Sequence, residues 1–257
     1  MKTRLDQRLV ARGLFDTRAR ARAAIEAGGV TVGGETAQRP AQKVAEDADV
    51  TYAEAHRFVG RGALKLDHAL TLWPVAVEGR VALDIGASTG GFTEVLLERG
   101  AARVFAVDVG QGQMHPRLAS DPRVTNLEKT DARDLTPALI PQAPDLIVCD
   151  ASFIGLAKVL PAALGLAAPG CDLVTLVKPQ FEMERRADVG RGGVVRDAEA
   201  RQAALDRVAA WLEGEGWIVR ETIESPIAGG DGNVEFLLWA CRDAASGKEG
   251  SAAGGNR

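Results

Sequence analysis

The sequence predicts an α/β protein, an open sheet interleaved with helices, preceded by a small α+β module. Three observations carry this. From residue 81 onward short apolar segments alternate with helical ones, and the segments run into polar residues at Asp84, Asp108, Asp150 and Lys178. A Gly-rich turn, Asp84-Ile85-Gly86-Ala87-Ser88-Thr89-Gly90-Gly91, follows the first of them, where open α/β sheets bind ligands. The charge is also split: residues 1–45 hold nine Lys or Arg against four Asp or Glu, a balance of +5, so a net charge of −4 leaves −9 for the remainder. A basic module joined to an acidic one points to a polyanion held by the first.

In chain order, Leu5 and Leu9 lie four apart in a short helix that Gly13 closes. Asp16 or Thr17 caps a second helix carrying Arg18, Arg20 and Arg22 around Ala21, Ala24 and Ile25, and Gly28-Gly29 ends it. Val30 to Glu35 reads as a strand entering a tight hairpin at Gly33-Gly34. Arg18 and Arg22, four apart, share a helix face suited to phosphates, and Arg4 precedes the first helix. The bland alternative is a solvated basic face. A connecting stretch, residues 53–62, then leads into the larger unit.

There, Val81 to Asp84 is a buried strand and Phe92 to Arg99 a helix. Val104 to Asp108, Leu146 to Asp150 and Leu173 to Lys178 are further strands. Asp197 caps a helix whose Leu205, Val208, Ala209 and Leu212 keep helical spacing until Gly214 and Gly216. Trp217 to Ile223 and Val234 to Ala240 close the sheet as an antiparallel pair. The Gly- and Arg-rich loop from Met183 to Arg196 is long enough to be mobile, and residues 244–257, rich in Ala, Ser, Gly and charge, are expected to be disordered.

The Gly-rich turn is not GxGxxG, and Asp84 before it would repel a pyrophosphate. An acidic strand end suits a cationic amino acid group instead. Asp108, about 20 residues on, is placed for ribose hydroxyls, and Asp131 either meets an adenine or caps a helix. These features favour S-adenosylmethionine over NAD, with Asp84, Gly86, Ser88, Gly90, Gly91, Asp108 and Asp131 as its binding residues. Lys65, Asp150, Lys178 and Glu235, two lysines and two carboxylates set in distinctive local sequences around this turn, suggest methyl transfer to a hydroxyl. Their bland reading is two surface ion pairs.

The first module resembles the S4 RNA-binding domain, and the whole chain resembles the TlyA family of ribosomal RNA 2'-O-methyltransferases, also labelled haemolysin A. The carrying motifs are Asp84 to Thr93, Asp150-Ala-Ser-Phe-Ile, Lys178-Pro-Gln-Phe-Glu, Gly192 to Asp197, and Ser225-Pro-Ile through Gly232-Asn-Val-Glu235. The departures, at Gly60, His115-Pro116, Asp131 and Ala151, leave the four polar residues untouched. The resemblance implies a Rossmann-like class I methyltransferase domain with an S4-like N-terminal domain. Residues 1–52 would bind RNA through Arg4, Arg18 and Arg22, 53–62 would be a linker, and 63–243 an FtsJ-like domain. It implies a Lys65-Asp150-Lys178-Glu235 tetrad that methylates a ribose, of a cytidine, in ribosomal RNA or a ribosomal subunit. Large-subunit RNA is favoured because the chain lacks extra terminal segments. Two other classes are weighed: a non-catalytic RNA-binding assembly factor, against which the intact tetrad stands, and a membrane-active protein.

Exclusions follow from composition. No apolar run approaches a membrane span and Met1-Lys2-Thr3-Arg4 leads directly into a charged helical pattern, so a cytoplasmic protein is expected. Cys149, Cys171 and Cys241 lack CxxC spacing, and His56, His68 and His115 lack ligand spacing, so no metal is expected. Trp73, Trp211, Trp217 and Trp239 are expected in the core.

Overall fold

The computed structural model describes residues 2–26, 28–37, 39–52, 58–183, 189–190, 192–229 and 232–243. The expected tail at 244–257, the linker residues 53–57 and parts of the loop after Met183 lie outside the described residues.

The N-terminal module is built from β1 (Lys2–Arg4), α1 (Leu5–Ala11), α2 (Arg18–Glu26), β2 (Val30–Val32), β3 (Glu35–Thr36), β4 (Lys43–Ala45) and β5 (Val50–Tyr52). Leu5, Leu9, Ala21, Ile25 and Val30 are fully or almost fully buried and form its own core with Val44 and Val50. Thr17, not Asp16, caps α2, its Oγ1 accepting from Arg20 N at 3.3 Å. Gly33 and Gly34 form a two-residue β2–β3 loop with φ of 60° and 83°, the all-positive turn that matches strand twist and that glycine adopts without strain. β1 pairs with β4, and β2 with β3 and β5, all antiparallel.

The second unit opens with α3 (Ala63–Leu72), then alternates β6 (Val81–Ile85), α4 (Gly91–Glu98), β7 (Arg103–Val107), α5 (Pro116–Ala119), β8 (Val124–Leu127), a 3-10 turn (Ala132–Asp134), β9 (Leu146–Cys149), α6 (Leu156–Val159), α7 (Pro161–Leu166), β10 (Asp172–Val177), α8 (Pro179–Glu182), α9 (Ala198–Gly214), β11 (Trp217–Glu224) and β12 (Phe236–Arg242). Seven strands lie in the order β11-β12-β10-β9-β6-β7-β8. The five from β10 to β8 are parallel, while β12 runs antiparallel between β10 and β11. Strands buried on both sides read as continuous apolar runs, as in Leu146-Ile147-Val148-Cys149. One face packs on α3 and α4 through Leu66, Ala69, Val95 and Leu96, the other on α7 and α9 through Leu164, Leu205, Val208 and Leu212.

Two features of this order position the site. The chain leaves β6 for β7 on one side and later returns to place β9 on the other, making a switch point with a crevice at the carboxyl ends of β6 and β9. Because β12 is antiparallel and Phe236 pairs with Val177, the residue before β12, Glu235, comes to the same edge as the residue after β10, Lys178. Among the described residues no helix is long and apolar enough to cross a membrane, and no cluster of His, Cys, Asp and Glu is arranged to hold a metal. Of the tryptophans, Trp73 and Trp217 are buried, whereas Trp211 and Trp239 are partly exposed.

Candidate active site at the carboxyl edge of the sheet

The Gly-rich turn is shaped by what crowds it. Gly86 has φ of 82°, and a Cβ there would lie 3.0 Å from the Asp150 carbonyl oxygen, so β6 and β9 can end this close only with glycine at this point. Gly90, φ 95°, leads into α4, and a Cβ on Gly91 would lie 3.1 Å from Ala63 N at the start of α3. Ser88 is exposed at φ 48°; its N–H donates to Asp108 Oδ2 at 2.8 Å, while Gly110 N–H donates to Asp108 Oδ1 at 2.7 Å. Asp108, just past β7, is thus oriented by two backbone donors and keeps lone pairs for others.

Asp84 is wholly buried. Thr93 Oγ1 donates to its Oδ2 at 2.7 Å, and its Oδ1 has no partner. Burial, opposed by the Thr93 bond and reinforced by the Asp150 and Asp108 charges, raises its carboxyl to about 7. A buried carboxylate oxygen without a donor beside a glycine turn suits a ligand carrying a cation, and so fits the expected S-adenosylmethionine. Asp131 lies further out. It caps the 3-10 turn, accepting from Arg133 N at 2.9 Å, and pairs with the Arg133 guanidinium at 2.6 Å, which holds its carboxyl at about 2.

Lys65, Asp150, Lys178 and Glu235 come together as two ion pairs. Lys65, on α3 and 6% exposed, donates to Glu235 Oε2 at 2.5 Å, joining residues 170 positions apart. Lys178 Nζ sits 2.6 Å from Asp150 Oδ1 and donates to the Asp150 carbonyl at 3.2 Å and to Ser152 Oγ at 2.8 Å. The pairs are coupled. Burial alone would raise Asp150, yet the charges of Lys178 and Lys65 hold it below the ordinary carboxylate value. Burial alone would lower Lys178, yet Asp150 and Glu235 hold it above the ordinary lysine value, so it is an ammonium at neutral pH. With Lys178 only 7% and Glu235 only 3% exposed, this is not the surface arrangement that the bland reading describes.

Several neighbours escaped the sequence reading. Ser152 follows Asp150 by two and reaches Lys178. Phe153, 89% exposed with φ of 68°, holds its ring 5.3 Å from that of Phe181. A left-handed backbone at a bulky residue is strained, and such strain concentrates at functional sites. Glu182, raised mainly by burial, caps α6 by accepting from Leu156 N at 2.8 Å and so props the Asp150 loop against α8. Gly229 leaves room for Glu235, since a Cβ there would run into Glu235 Oε1. Its Asp231 neighbour lies outside the described residues. Each of these neighbours lies inside a motif already singled out, Ser152 and Phe153 in Asp150-Ala-Ser-Phe, Glu182 in Lys178-Pro-Gln-Phe-Glu and Gly229 in the stretch from Ser225 to Glu235, but nothing in the sequence marked their individual contacts.

In the N-terminal module Arg4 and Arg18 meet on Asp6, at 2.9 and 3.1 Å, while Arg22 faces Glu26 at 3.8 Å. Their shared helical spacing does not give Arg18 and Arg22 a shared partner. Arg61 spans the two units, donating to Glu26 O at 2.7 Å and to Ala228 O.

Known proteins share this architecture. The model of the FtsJ-like methyltransferases matches residues 58–242 and that of the S4 domain residues 3–50. The chain is 48% identical over 240 residues, 93% of its length and 89% of the relative's, to the 16S/23S rRNA (cytidine-2'-O)-methyltransferase TlyA of Mycobacterium tuberculosis. It is 36% identical over 235 residues, 91% of this chain and 98% of the other, to Hemolysin A of Brachyspira hyodysenteriae. A solved structure from Streptococcus thermophilus with a hemolysin label superposes with a TM-score of 0.74 at 38% identity, covering 94% of this chain and 89% of that one.

Proposed function

The chain belongs to the FtsJ-like methyltransferase family, with an S4 domain ahead of the catalytic fold, and from that premise we propose that it methylates the 2'-hydroxyl of a cytidine in ribosomal RNA, with large-subunit RNA as its substrate. The observation that carries this is the coupled Lys178–Asp150 and Lys65–Glu235 arrangement, beside the glycine turn at the switch point of the sheet. In this reading residues 1–52 hold RNA and 63–243 carry the chemistry.

Bound S-adenosylmethionine supplies an electrophilic methyl group on a sulfonium. Asp84 answers the cationic amino acid end with its unpaired oxygen, and Asp108, steadied by Ser88 N and Gly110 N, accepts from ribose hydroxyls. Gly86 and Gly91 let the turn pass between the end of β9 and α3, Gly90 clears Leu118 of α5, and Asp131, held by Arg133, would border the adenine side. A ribose hydroxyl is a poor nucleophile, so what the site must supply is placement and charge. Lys178, kept cationic by its two carboxylate neighbours, donates to the 2'-oxygen and stabilises the negative charge that grows on it as the hydroxyl proton passes to water and the oxygen takes the methyl group. Asp150 orients that ammonium, and Ser152 holds it from the other side. Lys65 and Glu235 fix α3 against the Ser225–Glu235 turn and complete the electrostatic balance. Phe153, next to Ser152 and open to solvent, offers a ring face on which the target base can stack.

The test is transfer of a labelled methyl group from S-adenosylmethionine to isolated ribosomal RNA and to each ribosomal subunit, followed by mapping of the modified ribose. Label on a cytidine 2'-oxygen of large-subunit RNA is expected. Label on small-subunit RNA as well would widen the substrate, and no transfer to any ribosomal RNA would overturn the reading.

A further inference from the structure

We propose that Asp6 is the positioning residue of the RNA anchor, binding Arg4 and Arg18 into a single fork that grips a backbone phosphate with Lys43 at its side. The inference rests on the reading of the N-terminal module as the RNA contact and adds how its arginines are presented.

Asp6 is wholly buried in the first turn of α1. Arg4 clasps it with both nitrogens of its fork, Nε to Oδ1 at 3.0 Å and Nη2 to Oδ2 at 2.9 Å. Arg18, at the start of α2, donates Nη2 to Oδ2 at 3.1 Å, and Gln7 N donates to Oδ1 at 2.9 Å. The carboxylate is therefore saturated, but the arginines are not. Asp6 takes two of about five N–H donors from Arg4 and one from Arg18, and their side chains stay 38% and 54% exposed. β1 and β4 pair with Arg4 directly opposite Lys43, so the exposed lysine stands on the same face of the two-stranded ribbon as Arg4. Three elements apart in sequence, β1, α2 and β4, thus gather three cations around Asp6 and the end of the ribbon.

The other arginines of α2 differ in kind. Arg20 pairs with Asp16, itself 83% exposed, and Arg22 with Glu26 at 3.8 Å, both within one helical turn. Such pairs are solvated and leave the side chains loose. A carboxylate inside a polyanion site weakens long-range attraction, so what Asp6 contributes is geometry: the ordering cost of two long side chains is met on folding and not on binding.

That reasoning gives a sign. If only charge counted, Asp6→Asn would strengthen RNA binding by removing a negative charge; if Asp6 positions the fork, the same change weakens it. Filter binding of a protein-free large-subunit ribosomal RNA transcript, titrated with salt, distinguishes these for the full chain, D6N, R4A/R18A and the triple variant. We expect D6N to bind about tenfold more weakly, as loss of a charge-assisted contact does, with a salt slope lower by about 0.7 to 0.9, one phosphate. The triple variant should bind no more weakly than R4A/R18A. D6N that binds as tightly as the unmodified chain, or more so, while R4A/R18A binds weakly, overturns the fork alone; R4A/R18A that binds like the unmodified chain overturns the RNA-anchor reading beneath it. Thermal melting checks that D6N folds. If it does not, R4A and R18A are compared singly and together: losses that do not add support the fork, and additive losses overturn it.

Discussion

The two units of this molecule each bury an aspartate completely, and they treat it in opposite ways. Asp6 in the N-terminal module is met by Arg4 and Arg18, and these bonds outweigh burial to hold its carboxyl at about 2. Asp84 in the methyltransferase unit meets one hydroxyl, keeps one oxygen unpaired, and is pushed by burial to about 7. Burial alone therefore does not set the charge of a carboxylate; the donors within reach do. A satisfied aspartate organises its neighbours, whereas an unsatisfied one is held ready for something that arrives later.

The largest expected effect lies where the methyltransferase unit uses satisfied charges. Lys178→Ala and Asp150→Ala should each reduce methyl transfer by about a thousandfold or more, because the stabilisation acts in the transition state. S-adenosylmethionine affinity measured by calorimetry should persist. Substantial turnover in either variant would remove the proposed role of the pair.

Next in size is the division of labour. Removing residues 1–52 should lower RNA affinity by about a hundredfold or more, since the remainder is acidic and phosphate contacts dominate binding. S-adenosylmethionine affinity should change little. Equal RNA affinity with and without the module would place the RNA contact elsewhere.

Asp84→Asn sharpens the contrast between the aspartates. A carboxyl raised in the folded state contributes stability that is fully present below its unfolded value, near 3.8, and is lost as pH rises through about 7. The variant should therefore be more stable than the parent at pH 8, by an amount on the order of 2–4 kcal/mol in denaturant unfolding, and lose most of its S-adenosylmethionine affinity. In the parent chain that affinity should rise as pH climbs through about 7. Affinity independent of pH would show that the unpaired oxygen does not meet the ligand.

The smallest effect belongs to Asp6. Its carboxyl is lowered on folding, so its contribution is present above about pH 4 and is lost as pH falls toward about 2. Melting followed by Phe15 and Tyr52, whose rings meet edge to face at 4.8 Å within the N-terminal module, should report this acid loss in the parent and not in D6N.

How much of this was legible followed from the range of each interaction. The strands ending at Asp84, Asp150 and Lys178 showed in the sequence because each is a short apolar run carrying its own boundary. The Gly33-Gly34 and Gly86 turns showed because glycine marks positive φ locally. Lys65 was singled out by its motif, but its helix α3 was not read, and its pairing with Glu235 spans 170 positions. The grip of Arg4 and Arg18 on Asp6 was invisible for a similar reason. Helical spacing suggested Arg18 with Arg22, and the partner that decides the matter sits on another helix.

The place of β12 has a consequence for biosynthesis. It is the last strand of the sheet to be made, yet it is an interior strand, inserted between β10 and β11. Up to that moment the nascent chain can form the glycine turn and the Lys178–Asp150 pair, but Lys65 has no Glu235 to meet. Non-local pairings of this kind close late because the loop entropy must be spent first. A chain cut after α8 and before residue 235 would hold the elements of the cofactor pocket and the Lys178–Asp150 half of the charge arrangement. Competence for transfer thus arrives in a single late step, with the zipping of one strand.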